Sequence, residues 1–495
     1  MIVLGGTSLT PADVAAVARD GGAVELSPAA RERNAAARAA IAAHLERGGA
    51  LYGASTGVGA LRDRQVAEGE REQLQLNLLR SHAVSAGAPL SPVLVRAGMV
   101  VRANQLGAGG AGVAPELLDA LVEAINAGVV PVTRELGSLG TGDLPGLAEI
   151  ALALLGEGQV WRGGEAVPAT RIAPPFALGL RDALGFISSN ALTAGRAALI
   201  SVDCEALQSS WLAVAALSFE ALQADAIVLD DRVQAARGAP GQAAVARRMR
   251  ELLVGSATQP RAPERLVQDP YPFRVLPQVD GATFEARAAL EQVASRELNA
   301  RAENALIDAG EVLPNGNFHA AALAAALDSL RAALAQSASL IAARVSALLD
   351  PRISGLTPFL AHRPGLDSGV MMLEYTAHAA AAEARARAGS MAAQTASVSL
   401  GVESHASFAA TAARQTEQVI EAMRVLVATE LAVAVRALVL AGREPAGAGT
   451  RALFGAARSA LPDGLADRRF GEDVELARGV LASWSWPGEG TQRAR

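Results

Sequence analysis

The sequence contains no lysine. All 44 of its basic residues are arginine, and a guanidinium neither loses its proton at working pH nor forms a Schiff base. This absence excludes pyridoxal-phosphate enzymes and Walker-A nucleotide enzymes, because both need a lysine amine. The single cysteine, Cys204, excludes an internal disulfide and a multi-cysteine metal site, and we interpret it as a small buried apolar residue.

Aromatic residues and long apolar runs are also scarce. Only 3% of the 495 residues are aromatic while 51% are hydrophobic, which is typical of a large helical core of Ala, Leu and Val. The net charge is −6 and the arginines are spread along the chain, so no basic patch for nucleic acid is visible. No signal-peptide pattern opens the sequence, and charged residues interrupt the apolar stretches early. We therefore expect a cytoplasmic protein that binds neither nucleic acid nor membrane.

Several helix starts are marked by a hydroxyl residue followed by proline. This pair occurs at Thr10, Ser27 and Ser91, and it supplies a capping oxygen before a proline whose missing N–H costs nothing at the first helical position. With Gly48 and Gly128 as stop signals, the pattern predicts helices over 11–19, 28–47, 92–105 and 115–127.

Strand signals are few. They predict a strand over 23–27 and a hairpin over 159–168 that turns at Gly163-Gly164. A G-x-G-x-x-G run over 107–112 follows a helix, so we interpret it as a helix-to-helix loop and not as a dinucleotide site. The sequence therefore predicts a mainly α protein: an active-site region over 1–195 with a few short strands, a long-helix bundle over 196–485, and a disordered tail over 486–495.

Polar side chains in irregular segments are the candidates for chemistry. Tyr52 and Tyr271 lie in loops, where a phenol can act as a general base or a hydrogen-bond anchor. The segment of Tyr271 also carries Gln268 and Arg274, and an arginine fork matches a carboxylate. Among the histidines, no pair has the spacing of metal ligands, so we expect no metal.

Nine ordered segments give the chain a strong resemblance to the aromatic amino acid ammonia-lyases and related aminomutases, nearest in pattern to the histidine ammonia-lyases. These segments are YGASTGVG (52–59), LQLNLLRSH (74–82), the run from 101 to 132, GSLGTGDL (137–144), ALALLGEG (151–158), VQDPYPFRVLPQV (267–279), GNFH (316–319), DPRISGLTPFL (350–360) and ESHAS (403–407). The resemblance implies an ammonia-lyase-like fold with a long central helix bundle. It also implies a homotetramer whose active sites combine loops from three subunits.

The resemblance further implies an electrophile built from the chain itself, with no bound cofactor. Members of the family close an internal Ala-Ser-Gly into a methylidene-imidazolone ring that attacks electron-rich substrate atoms. Here the loop is one residue shorter and reads Gly140-Thr141-Gly142. If this tripeptide cyclises, Thr141 gives an ethylidene group in place of the methylidene; if it does not, the usual lyase chemistry is lost.

By the resemblance, Tyr52 is the general base, Tyr271 is hydrogen-bonded nearby, and Gly140, Thr141 and Gly142 supply the ring. The implied substrate-binding residues are His82, Ser188, Gln268, Arg274, Phe318 and Glu403. Ser188 stands where the family has an asparagine. The leading interpretation is an ammonia-lyase-like enzyme that eliminates the amine of a histidine-like or aromatic amino acid after proton abstraction. The alternatives are an enzyme of the same fold without the ring that performs a cyclisation or a hydration, and a non-catalytic helical oligomer that binds a small ligand.

Overall fold

The predicted helix starts are confirmed in the structure, a computed structural model that describes residues 1–256 and 267–484. At the first of them the Thr10 hydroxyl accepts the Asp13 N–H at 3.2 Å, while the Asp13 carboxylate accepts the Thr10 N–H at 3.0 Å. Ser27 and Ser91 cap their helices in the same way. These side chains satisfy N–H groups that have no partner inside the helix.

The chain divides into two compact units. Unit 1 comprises Met1–Val202, Leu290–Asp328 and Ser390–Arg414; unit 2 comprises Asp203–Ala289, Ser329–Gly389 and Gln415–Arg495. Four long helices contribute residues to both units: Ala191–Leu222, Leu276–Leu298, Ala321–Leu349 and Ala409–Leu440. The tail predicted over 486–495 lies outside the described residues.

Unit 1 holds the other helices of the N-terminal region and the short strands. Its helices are Pro11–Asp20, Pro28–Glu46, Arg71–His82, Pro92–Gly107, Pro115–Ala127, Leu144–Leu154 and Asp182–Ile187. The run over 107–112 joins two of these helices, as predicted. Apolar side chains of these elements form the main core of the unit, which leaves the loops between the helices free to carry polar groups.

The strands of unit 1 form four small sheets. Ile2–Leu4 pairs in parallel with Val24–Leu26, and the predicted hairpin Gln159–Arg162 with Glu165–Pro168 is present and extended by Val130–Pro131. Two antiparallel pairs were not predicted from the sequence: Ala86–Pro89 with Arg134–Leu136, and Leu306–Asp308 with Glu311–Leu313. The mainly α fold class with few strands is confirmed.

Unit 2 is helical throughout the part that the structure describes. Besides its share of the long helices it contains Asp231–Arg237, Pro240–Leu252, Tyr271–Arg274, Pro351–Ser354, Met371–Ala386, Ala448–Ala460 and Phe470–Ser483. Its interior includes a buried ion pair in which Glu430 accepts two hydrogen bonds from Arg344 at 2.7 and 2.9 Å. Paired and hydrogen-bonded charges of this kind avoid the cost of an isolated buried ion.

Cys204 is fully buried, and burial raises the pKa of its thiol to about 12, as fits a packing residue. Among the described residues one helix, Ala321–Leu349, is long and apolar enough to cross a membrane by length and composition, but 72% of its most apolar window is buried inside the protein. A core helix passes the same test, so this helix is weak evidence for a membrane span.

Candidate active site

The glycine-rich loop over 137–143 has a backbone that only glycine adopts readily. Gly140 has φ +81° and Gly142 has φ +111°, both in the region that side chains with a Cβ disfavour. Space is also limited at Gly140, because a Cβ there would lie 2.1 Å from Ser407 Oγ and 2.9 Å from the Ala409 nitrogen. The alanine that the resembling family carries in its tripeptide would therefore displace Ser407 in this chain.

The Gly140 carbonyl oxygen accepts two hydrogen bonds. The Ala320 N–H donates to it at 3.0 Å, and the Ser407 hydroxyl donates to it at 3.0 Å. Ser407 is buried, so water does not compete strongly for this contact. Two donors on one carbonyl oxygen withdraw electron density from its carbon, which makes that carbon more open to attack by a nucleophile.

The other end of the tripeptide is held by Asn190. The Gly142 N–H donates to Asn190 Oδ1 at 3.0 Å, and the Asn190 side-chain amide donates to the carbonyl oxygen of Phe318. Asn190 is itself buried. One side chain therefore connects the loop to the Phe318 segment, which is the segment that contributes the Ala320 N–H.

Thr141, between the two glycines, contacts Glu403. Its hydroxyl donates to Glu403 Oε2 at 3.2 Å. Glu403 sits in a short loop closed by backbone hydrogen bonds with Val398, at 2.9 Å to the Glu403 carbonyl and 3.3 Å from its N–H. The structure thus brings together two of the predicted site residues that are 262 positions apart in the sequence.

Tyr52 lies in a loop that is anchored from two sides. Its phenol oxygen accepts the Gly59 N–H at 2.7 Å. The buried Gln75 donates to the Gly53 carbonyl and accepts the Ala183 N–H, both at 3.0 Å. The Tyr52 loop also abuts the segment before Glu403, since a Cβ on Gly59 would lie 2.6 Å from Ser399 Oγ. The orientation of Tyr52 is therefore fixed by the fold.

Asp143 closes the loop at the start of the helix Leu144–Leu154. Its carboxylate accepts the Thr193 N–H at 2.7 Å and the Thr193 hydroxyl at 2.8 Å. Complete burial raises the pKa of Asp143 above its ordinary value, although these hydrogen bonds act in the opposite direction. The side chain holds the end of the loop against the helix that begins at Ala191.

His82 ends the helix Arg71–His82 and is half-buried. Its Nδ1 lies 2.8 Å from the Leu78 carbonyl oxygen, which can only accept. The proton of the neutral ring is accordingly assigned to Nδ1, and Nε2 is left as an acceptor. An acceptor of this kind can receive an N–H of a polar substrate.

The structure places Ser188 in a different contact from that of Asn190. The Ser188 hydroxyl accepts the Asn304 N–H at 3.2 Å, whereas Asn190, two residues later, holds the glycine-rich loop. The binding role given to Ser188 stays a prediction. Asn190, Asp143 and Ser407 were not predicted as site residues from the sequence. Asp143 and Ser407 lie inside resembling segments, and Asn190 lies two residues after Ser188.

Three predicted site residues form a separate cluster in unit 2. Arg274 donates to Gln268 Oε1, and its guanidinium carbon lies 5.4 Å from the centre of the Tyr271 ring. The side chain of Tyr271 is 66% exposed. These three residues therefore present a cation, an amide and a phenol together on the surface of unit 2.

No group of three or more His, Cys, Asp or Glu residues in the described ranges 1–256 and 267–484 could hold a metal.

The chain is similar to known proteins over nearly its whole length. The model of the aromatic amino acid lyase family matches residues 9–459. The chain is 38% identical to a histidine ammonia-lyase of Geobacillus thermodenitrificans over 96% of both chains. It is 37% identical to one of Anaeromyxobacter sp. over 97% of this chain and 98% of the relative.

The fold is also similar to those of solved structures. An ergothionase of Treponema denticola, an ergothioneine-degrading enzyme, superposes with a TM-score of 0.92 at 28% identity, with 97% of this chain and 98% of that chain covered. A histidine ammonia-lyase of Trypanosoma cruzi superposes with a TM-score of 0.89 at 30% identity, with 97% and 93% covered.

The helical scaffold and these matches together define an ammonia-lyase-like carbon–nitrogen lyase. This chain belongs to the aromatic amino acid lyase family.

Proposed function

We propose that this chain is an amino acid ammonia-lyase whose electrophile is a ring closed from Gly140, Thr141 and Gly142. The observation that carries the proposal is the pair of donors, Ala320 N–H and Ser407 Oγ–H, that meet on the Gly140 carbonyl oxygen. Such a pair stabilises the negative charge that develops on an oxygen when a nucleophile adds to its carbonyl carbon. The nucleophile is the nitrogen of Gly142, which Asn190 orients through its side-chain oxygen.

Ring closure releases two molecules of water. The Gly142 nitrogen bonds to the Gly140 carbonyl carbon, and the carbonyl oxygen takes up the proton that this nitrogen loses. The new hydroxyl leaves with the Thr141 amide hydrogen as the first water, and a carbon–nitrogen double bond forms. The Thr141 hydroxyl then leaves with the Thr141 α-hydrogen as the second water, and a carbon–carbon double bond forms.

The residues present fit this ring. Gly140 and Gly142 have the backbone freedom that a tight closure needs, and Gly140 replaces an alanine for which Ser407 leaves no room. Threonine carries a hydroxyl and an α-hydrogen, as serine does, so both dehydrations remain open to it. The ring would supply an electrophile for an electron-rich atom of the substrate.

The substrate would be bound by groups of complementary chemistry. Tyr52, fixed by the Gly59 N–H, would remove the proton on the carbon next to the amine-bearing carbon. Arg274 would pair with the substrate carboxylate, with Gln268 and Tyr271 beside it. His82 presents an acceptor nitrogen, and Glu403 presents a carboxylate, which favours a histidine-like side chain. Ser188 and Phe318 would complete the binding site, and we propose a cytoplasmic homotetramer as the working form.

Mass spectrometry of the purified wild-type protein tests the ring directly. Trypsin cleaves after arginine, so the tripeptide lies in the tryptic peptide from Glu135 to Arg162. We expect the intact chain and this peptide to be lighter than the sequence mass by two waters. A full sequence mass for both would refute ring closure while leaving the fold and the family unchanged.

A second candidate is an enzyme of the same family that eliminates the substrate amine without closing a ring from the tripeptide. It is favoured by the loop being one residue short, and by the resemblance in structure to an ergothioneine-degrading enzyme. Ergothioneine is a betaine, and a quaternary amine departs as a neutral molecule without needing a proton. An unmodified mass together with release of trimethylamine from a betaine of histidine would support this candidate. Release of ammonia from histidine by a protein two waters lighter would exclude it.

A further inference from the structure

Two histidines of unit 1 are hydrogen-bonded to each other. His319 Nε2 lies 3.0 Å from His405 Nδ1, and the ring centres are 5.0 Å apart with an angle of 40° between the planes. One of these nitrogens must donate and the other must accept, so one proton lies between the two rings. The residues are 86 positions apart in the sequence, and neither has a place in the proposed elimination.

The pair joins the two segments that supply the donors on Gly140. His319 directly precedes Ala320, whose N–H is one donor, and His405 stands two residues before Ser407, whose hydroxyl is the other. The His319 N–H is also bonded to the Gly316 carbonyl at 3.0 Å, and the Phe408 N–H to the Leu139 carbonyl at 2.8 Å. The His319 segment is therefore held locally and the Ser407 segment is held against the glycine-rich loop, while the two imidazoles connect one segment to the other.

We propose that His319 and His405 are positioning residues that hold the Ala320 and Ser407 donors together on the Gly140 carbonyl oxygen. The inference rests on the proposed ring closure. A pair of donors stabilises a developing charge only when both are already in place, because reorganisation during the reaction removes most of the gain. The imidazole pair keeps both donors in place without contacting the reacting atoms, and it thereby increases the rate at which the ring closes.

The test is a time course of ring closure in freshly synthesised protein. After a short pulse of cell-free synthesis, the fraction of the tryptic peptide from Glu135 to Arg162 that has lost two waters is followed by mass spectrometry. Removing one donor of an oxyanion site typically slows a reaction by about 100-fold or more. Loosening both donors without removing either should cost less, and we expect His319→Ala and His405→Ala each to slow closure by roughly tenfold.

Conservative variants separate positioning from folding. An asparagine amide can replace Nδ1 and a glutamine amide can replace Nε2, so His405→Asn and His319→Gln should close at close to the wild-type rate. His378→Ala is the control for loss of a histidine, since this side chain is bonded to Ser346 in unit 2. Wild-type rates in both alanine variants would overturn the inference, as would equal slowing in the alanine and the amide variants.

Amide hydrogen exchange keeps the inference separate from the proposed ring. If the wild-type mass is unmodified, the ring proposal fails, and the Gly140 carbonyl is still in place to accept the Ala320 N–H. Exchange at Ala320 should then be at least tenfold faster in His405→Ala than in the wild type and unchanged in His405→Asn, because His405→Ala removes the connection between the Ala320 segment and the Ser407 segment. Unchanged exchange in His405→Ala would overturn the positioning role itself.

Discussion

Thr141 and Glu403 are joined by a hydrogen bond of 3.2 Å from the threonine hydroxyl to Glu403 Oε2. The hydroxyl that would leave in the proposed ring closure is therefore held by the carboxylate that would later face the substrate. Glu403 can accept hydrogen bonds from this hydroxyl first and from a substrate N–H afterwards. In the proposed function, the same side chain would contact the reacting hydroxyl during ring closure and the substrate during elimination.

Changing Thr141 should alter the mass and the activity together. Thr141→Ala has no hydroxyl to eliminate, so we expect it to lose at most one water and to release no ammonia. Thr141→Ser should lose two waters and give a methylidene without the hindering methyl group, and its kcat should exceed that of the wild type. Intact mass and ammonia release measure both effects. Full activity in Thr141→Ala would place the chemistry elsewhere.

Gly140→Ala should block ring closure through a collision with Ser407. The added Cβ would lie 2.1 Å from Ser407 Oγ, and a non-glycine residue at positive φ costs about 1–2 kcal/mol besides. Gly158→Ala is the matched control, because Gly158 also has positive φ, at +87°, with nothing within 4 Å of its Cβ position. Peptide mass should show closure in the control and not in Gly140→Ala. Equal closure in both would mean that Ser407 moves aside freely.

Arg274→Ala should weaken substrate binding. An arginine–carboxylate pair acts in the ground state and in the transition state, so KM should rise strongly, with a loss of about 2–3 kcal/mol in kcat/KM. Arg232→Ala removes an exposed arginine of unit 2 that is bonded only locally to Asp230 in the contacts described, and its kinetics should match the wild type. Steady-state kinetics with histidine give the answer. An unchanged KM in Arg274→Ala would remove this residue from the site.

Histidine should bind more tightly than phenylalanine. Burying Glu403 and the acceptor nitrogen of His82 against a phenyl ring leaves polar groups without partners, at a cost of roughly 1–3 kcal/mol. Calorimetry on a Tyr52→Phe variant, which we expect to bind without turnover, measures both affinities. His82→Leu should narrow the difference or reverse it. Tighter binding of phenylalanine to the protein with His82 intact would contradict the proposed substrate class.

Asp280 should make the free energy of unfolding depend on pH. Burial raises its pKa to about 6 from an ordinary value of 3.8, against the opposing effects of Arg344 and of the Ser337 hydroxyl, which donates to it at 2.7 Å. A raised carboxyl pKa means that the folded state binds the proton more tightly than the unfolded state. The resulting stability is complete below pH 4 and is lost as the pH rises toward 6.

The variant Asp280→Asn should therefore stabilise the protein at pH 8 and change little at pH 4. The gain at pH 8 should be about 2–3 kcal/mol from the shift in pKa, measured by urea unfolding. Asp230→Asn is the control, and it should destabilise the protein at pH 8. Hydrogen bonds from Arg232 hold the pKa of Asp230 well below its ordinary value, so the charged form of Asp230 stabilises the folded state. Stabilisation of Asp280→Asn at pH 4 as large as at pH 8 would show that charge is not the cause.

The elements that the sequence predicted best are those set by local chemistry. Thr10 and Pro11 mark a helix start through groups within one turn of each other, so no distant residue is needed to recognise it. The strands Leu306–Asp308 and Glu311–Leu313 have three residues each, which is too short for an alternating pattern to stand out. Their pairing depends on the surrounding fold, so it could not be predicted from local sequence.

The residues of the candidate site likewise fall into those that could be predicted from the sequence and those that depend on long-range contacts. Tyr52, Thr141 and Glu403 could be proposed from resembling segments, and the structure brings their loops together in unit 1. Asn190 was missed because its importance comes from one long-range contact with the Gly142 N–H, which no spacing in the sequence records. Ser407 was missed for the same reason. The donors on Gly140 come from positions 320 and 407, so they are visible only once the chain has folded.

Because Cys204 is buried, modification of its thiol can be used to measure local opening of the protein around this residue. It is the only thiol in the chain. Cys204 belongs to the helix Ala191–Leu222, and burial raises the pKa of its thiol to about 12. A reagent that reacts with thiolates can therefore modify only those molecules in which this helix has separated from its neighbours. The rate of modification therefore reports this local opening, without any engineered probe and without interference from lysine amines, which the chain does not contain.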